Sequence, residues 1–113
     1  MVIRKSQASP IRANERSTIW DYPTPTEETG ISYQNLNGRL PEKGLYKNTK
    51  CREIFFIVSG TARLTIDGVS EKVGEGDIVI LEPGQSHYGE YENVSMITIS
   101  TPNWTEEQCE IVD

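Results

Sequence analysis

His87 is the only histidine in the chain, and it lies in LEPGQSHYGE (Leu81 to Glu90), after a Pro-Gly turn and just before Tyr88 and Tyr91. A neutral imidazole both donates and accepts a hydrogen bond, and its reference pKa near ~6.5 suits proton transfer or metal ligation. Glu53 heads the apolar run EIFFIVSG (Glu53 to Gly60), where a carboxylate can serve as an acid/base group or as a ligand. Tyr46, Lys47, Asn48 and Thr49 stand just before it, offering a phenol, an amine, an amide and a hydroxyl. Cys51 shares a face with Glu53 if the strand has begun there, and its thiolate would then add a ligand. From the residues alone, His87 is either a turn-closing residue or directed inward. Glu53 either keeps its carboxylate in water or faces the interior.

Strands must position these groups. The five apolar residues after Glu53, β-branched and aromatic and ended by Ser-Gly, predict a strand covered on both faces. In ARLTIDG, Ala62, Leu64 and Ile66 alternate with Arg63, Thr65 and Asp67. Asp67-Gly68 predicts a two-residue hairpin, because a type I′ turn needs φ > 0 at both central positions. Val69 and Val73 lie on the returning strand. Gly74-Glu75-Gly76-Asp77 then turns the chain into the run Ile78 to Leu81, and Val94, Met96 and Thr98 alternate with Ser95, Ile97 and Ile99 further on.

Toward the N-terminus, STIWDY puts Trp20 and Tyr22 on one side and Ile19 on the other. Ile31 and Tyr33 alternate with Ser32 and Gln34 as a half-buried strand. In the tail, Thr105 to Gln108 fits a capping box and predicts a helical turn, with Trp104 packing the tail onto the body. The sum is roughly eight to ten short strands with almost no helix, the pattern of a sandwich or barrel.

A chain of 113 residues is expected to form one domain with a single core. Its net charge of −6 and scattered basic residues disfavour nucleic acid as a partner. MVIRKSQASPIRANERS lacks the apolar stretch of a signal peptide, and no run approaches the ~20 apolar residues of a membrane span. Cys51 and Cys109 lack metal-like spacing and read as free thiols, so a cytoplasmic protein is expected, without a membrane partner.

Two blocks of this sequence resemble the paired motifs of the cupin superfamily. Glu53, six residues and Gly60 match the second half of the first motif. Gly76-Asp77, the apolar strand Ile78 to Leu81, and Gly84-Gln85-Ser86-His87 follow the second, with Glu82 in place of a proline and Tyr91 in place of an asparagine. The resemblance implies an all-β, double-stranded β-helix (jelly-roll) barrel with a short C-terminal helical turn. Residues 1–29 would hold an N-terminal extension and first strands, 30–100 the barrel, and 101–113 the tail. It also implies a homodimer, formed by pairing sheets or exchanging N-terminal strands.

Cupins commonly hold a divalent metal through two histidines of the first motif, its glutamate and the histidine of the second. Here one spacing puts Lys47 and Thr49 at the His-x-His positions, and the other puts Tyr46 and Asn48 there. Glu53 and His87 remain, with Cys51 as a further donor, which implies at most a weakly bound divalent ion. Should Glu53 face inward beside Lys47, the ammonium would replace the missing cation.

The resulting expectation is a cupin that binds a small polar or anionic molecule without an essential tightly bound metal. Tyr33, Tyr46, Lys47, Asn48, Thr49, Glu53, His87 and Tyr91 are the candidate binding residues. The alternatives are a cupin enzyme of sugar isomerase, epimerase or dioxygenase type, with His87 and Glu53 (or Tyr88, Tyr91) in acid/base roles, and a stand-alone sensory or interaction module.

Overall fold

The computed structural model describes residues 1–113 and contains nine strands. They are β1 (Ser9–Asn14), β2 (Ser17–Asp21), β3 (Gly30–Leu40), β4 (Leu45–Asn48), β5 (Arg52–Ile66), β6 (Val69–Gly74), β7 (Ile78–Leu81), β8 (Ser86–Thr101) and β9 (Cys109–Val112). Short 3₁₀ turns occupy Lys5–Gln7 and Glu106–Gln108. Every strand pair is antiparallel, and the sheet curls on itself as a jelly-roll barrel. No helix is long and apolar enough to cross a membrane.

β8 is the hub. It pairs with β5 over most of its length, and with β3 and then β4 along its other edge. Because side chains alternate across a strand, this register sets which residues share the interior. The partners Leu36 and Val94 are buried, with Met96 and Ile57 paired one step along. Next comes the row Ser32, Thr98 and Phe55, and then Gly30, Ser100 and Glu53. The interior therefore grades from an apolar core around Leu36, Ile57, Leu64, Val94 and Met96 to a polar end beside Glu53.

The hairpin at Asp67-Gly68 forms as the sequence implies, with φ of 47° and 81° between the partners Ile66 and Val69. Gly60 has a different task. Its φ is +88°, and a Cβ there would lie 2.2 Å from the Asn93 carbonyl oxygen. The glycine lets β5 press directly on the β8 backbone where the register between them shifts.

Three expectations are corrected. The strand read as covered on both faces buries only Phe55 and Ile57, leaving Phe56 and Val58 exposed, because nothing in the chain packs over the outer side of β5. On β3 the candidate Tyr33 faces outward, and the polar Ser32 and Gln34 line the cavity in its place, since the barrel is polar at this end. In the tail, the Thr105 side chain makes no cap, and the Gln108 amide instead donates to the Asn103 carbonyl (3.0 Å). The chain then continues as β9, paired with β4, where a free carbonyl and N–H edge is available.

Gly60→Ala is expected to lose more than ~2 kcal/mol in urea unfolding, combining left-handed strain of roughly 1–2 kcal/mol with a backbone clash. Gly68→Ala, with φ +81° but open space around it, should lose only about the strain component.

Candidate functional site

A cavity of about 380 Å³ occupies the polar end of the barrel. At ~30 Å³ per water it has room for about a dozen, within the usual range for small-ligand pockets. Its wall draws on nearly every strand. β1 and β2 contribute Ile11, Arg12, Ile19 and Asp21; β3 contributes Ser32, Gln34 and Leu36; β4 contributes Tyr46 and Asn48. Glu53 and Phe55 come from β5, His87, Tyr91, Met96, Thr98 and Ser100 from β8, and Trp104 and Cys109 from the tail.

Two hydrogen-bonded groups organise the polar wall. The Gln34 amide donates to the Ser32 hydroxyl (3.0 Å) and the Thr98 hydroxyl (2.9 Å), bridging β3 and β8. The Trp104 indole N–H donates to Asn48 Oδ1 (3.0 Å), and Asn48 Nδ2 donates to Glu53 Oε1 (2.6 Å). The Trp104 backbone N–H is itself held by the Ser100 hydroxyl (3.1 Å), which anchors the tail over the cavity.

Burial governs the titrations. Glu53 keeps some exposed surface toward the cavity, yet protein surrounds it on its other sides, and desolvation pushes its pKa up to about 7 despite the opposing Asn48 hydrogen bond. No basic side chain faces it; the single ion pair, Arg52 with Glu82, lies on the outside. His87 is driven the other way, to about 4, by burial, so its ring is neutral. Its Nδ1 is sealed without a hydrogen-bond partner. The ring lies 5.7 Å from that of Tyr46, its cross-strand partner, and 6.3 Å from Phe55. Desolvation above all raises the Tyr46 and Tyr91 phenols, with Cys109 and then Glu53 adding to it at Tyr46 and Glu53 adding to it at Tyr91. Tyr91 fits because its neighbour is glycine: a Cβ on Gly89 would lie 2.5 Å from the Tyr91 ring.

Of the residues singled out from the sequence, Tyr46, Asn48, Glu53, His87 and Tyr91 are brought together. The rest are not. Tyr33 stacks on Trp20 (5.8 Å) on the outer face, with the Lys5 ammonium over the pair. Lys47 has the opposite parity to Tyr46 and Asn48 on β4 and does not line the cavity, so the Lys47–Glu53 pair does not form. Thr49 is exposed and bonds the Gln108 carbonyl (3.1 Å). Tyr88 points away from the cavity and lies under the Arg39 guanidinium (4.2 Å). Cys51 is buried but outside the lining, because β5 begins only at Arg52.

Sequence reasoning missed Ser32, Gln34, Thr98, Ser100 and Cys109 as wall residues. For the β3 and β8 residues the signal was present: their parity follows from counting along each strand from Leu36 and from Met96. Cys109 arrives through the β4–β9 pairing, which no local pattern announces.

The donor set does not fit a divalent metal. No three His, Cys, Asp or Glu side chains converge. At the two positions beside Glu53 and His87 stand a protonated phenol and an amide whose N–H₂ points at the carboxylate. The Asn48 oxygen is already taken by Trp104. Catalytic metal sites normally need three protein ligands.

These shifts act oppositely on stability. Glu53, raised from its ordinary 4.5 to about 7, contributes stability fully present below pH 4.5 and lost as pH rises through about 7. His87, lowered from 6.5 to about 4, contributes stability present above pH 6.5 and lost as pH falls through about 4. Between 4.5 and 6.5 the two slopes nearly cancel, so the wild type should be flat there. Urea melts across pH should show Glu53→Gln weakening toward acid and His87→Gln weakening toward neutral pH. Each slope amounts to roughly 3 kcal/mol at most, less where the cavity is wet.

The sequence profile described as Cupin domain matches residues 41–99. No curated protein matches the chain in sequence. Among solved structures it is similar to Pac13, a nucleoside dehydratase from Streptomyces, at 11% identity and TM-score 0.87, covering 99% of this chain and 90% of that one. Variants of that enzyme have been solved with uridine. It is also similar to KdgF from Halomonas sp. (10%, TM-score 0.74, 92% and 96% covered). A third is a predicted oxalate decarboxylase from Thermotoga maritima (18%, TM-score 0.67, 90% and 99% covered). At these identities the likeness shows the fold alone.

Proposed function

The chain belongs to the cupin family, and from that premise we propose that its barrel binds a small neutral polar molecule without an essential tightly bound metal. One observation carries this: the cavity sets apolar walls such as Ile19, Leu36 and Phe55 against polar groups already fixed by their own hydrogen bonds. Such a wall orients a ligand with little ordering cost. Anions are disfavoured, because Arg12 at the rim is the one cationic side chain in a lining that also holds Asp21. The uridine held by the Streptomyces relative supports nucleosides as the first class to try.

Calorimetric titration with uridine and a panel of neutral monosaccharides tests the reading. Saturable 1:1 binding is expected without added metal and unchanged by a chelator. Gln34→Leu, which removes the bridge between β3 and β8, should weaken it at least fivefold. Binding that disappears on chelation and returns with Mn²⁺, Fe²⁺ or Zn²⁺ would refute it.

A second reading, an acid/base enzyme, draws support from Glu53, whose proton exchanges near neutral pH inside the cavity. Turnover of a nucleoside or sugar that stops in Glu53→Gln would favour it. Both cysteines are free, which suits a reducing compartment and supports a cytoplasmic location.

For the partner, we infer a second copy of this chain. Two apolar rows cross the outer face in register: Ile80, Ile54, Ile99 and Ile31, and beside them Ile78, Phe56, Ile97 and Tyr33. Ile78 and Ile80 are 56% and 50% exposed and Phe56 43%, a patch of the kind that marks an interaction site. On a chain of net charge −6, this face is where two copies can meet with few like charges opposed. Sedimentation should show a dimer that Phe56→Glu weakens at least tenfold; a wild-type monomer at micromolar concentration would end the idea.

A further inference from the structure

The chain from Trp104 through Asn48 to Glu53 fixes more than a side-chain position. An indole N–H can only donate, so the Asn48 atom facing it is the carbonyl oxygen. That settles the amide orientation, which a lone asparagine would leave open. The Asn48 N–H₂ must then face Glu53, and Glu53 Oε1 must accept. Oε2 is left without a protein partner on the cavity side. No cation faces the carboxyl, and an unpaired charge in a desolvated wall is costly.

We propose that Glu53 serves the cavity as a carboxylic acid whose proton is confined to Oε2, and that the ligand is a neutral molecule presenting a carbonyl oxygen to that O–H. Trp104 and Asn48 are positioning residues, acting through Glu53. Where a metal would hold the carboxylate by its charge, a donor-only indole and an amide hold the neutral acid by its acceptor oxygen. The raised pKa of Glu53 agrees with this but does not specify which oxygen carries the proton. The inference rests on the reading of the cavity as a metal-free ligand site.

Glutamine is the discriminating substitution. In Glu53→Gln the amide oxygen can still accept from Asn48, and its N–H₂ then stands where the acid O–H stood. With uridine as the probe, Glu53→Gln should retain at least tenfold more affinity than Glu53→Leu, and Trp104→Phe should weaken binding severalfold. If Glu53→Gln binds as poorly as Glu53→Leu, the group works as a carboxylate and the proposal falls.

Infrared difference spectra of the ligand-free chain against Glu53→Gln, in slightly acidic buffer, separate this from the binding question. A protonated carboxyl band is expected, and it should move to higher frequency in Asn48→Leu as the hydrogen bond to Oε1 is released. Circular dichroism checks that each variant is folded. If uridine fails to bind while the band behaves so, the proposed ligand class fails and the locked acid stands. A spectrum with only carboxylate bands, or a band indifferent to Asn48→Leu, overturns the locked acid whatever binds.

Discussion

The register of β8 against β3 and β5 is the constraint on which everything else depends. A strand has a period of two, so a slip of one residue would turn Met96, Thr98 and Ser100 outward and bring Ile97 and Ile99 in. Gly60 holds that register on one side, because only a residue without Cβ lets β5 rest on the Asn93 carbonyl. The polar end of the barrel follows directly. Ser100 pairs with Glu53, Thr98 with Ser32 and Phe55, and the core closes below them at Val94 and Leu36.

Within that frame, the chemistry of the cavity is set by desolvation more than by charge pairing. Glu53 and His87 face one cavity, and burial drives both toward their neutral forms, the acid upward and the base downward. A fold that often cages a cation here shows a wall of neutral donors and acceptors. Asn48 is central to that change. It turns an N–H toward the Glu53 carboxyl, where a metal ligand would turn a lone pair. Trp104, supplied by the tail, prevents the amide from rotating back.

The outer surface reflects the same alternation. Inward Ser32 and Thr98 alternate with outward Ile31, Tyr33, Ile97 and Ile99, so the polar stretch of the cavity wall and the apolar rows outside are two consequences of one register. Ile31 and Tyr33 beside Ile99 and Ile97 are the outward counterparts of Ser32, Gln34 and Thr98.

Much of the scaffold was legible before any coordinates. The Asp67-Gly68 hairpin, the parity of Val94, Met96 and Thr98, and the spacing of Glu53 to Gly60 and Gly76 to His87 are local features, and backbone sterics with side-chain alternation make them readable. Parity does not say which face turns inward. Tyr33 was expected to line the pocket, and the polar Ser32 and Gln34 on the other side of the strand take that place. The sequence left two registers open before Glu53, and only the pairing of Tyr46 with His87 selects the one that admits Asn48 and excludes Lys47. Trp104, Asn48 and Glu53 are far apart in the chain or on different strands, and the hydrogen bonds that join them depend on β9 docking against β4. Local chemistry fixed the strands and their turns, whereas long-range pairing decided which groups meet, because a contact between distant residues leaves no periodic trace in the chain.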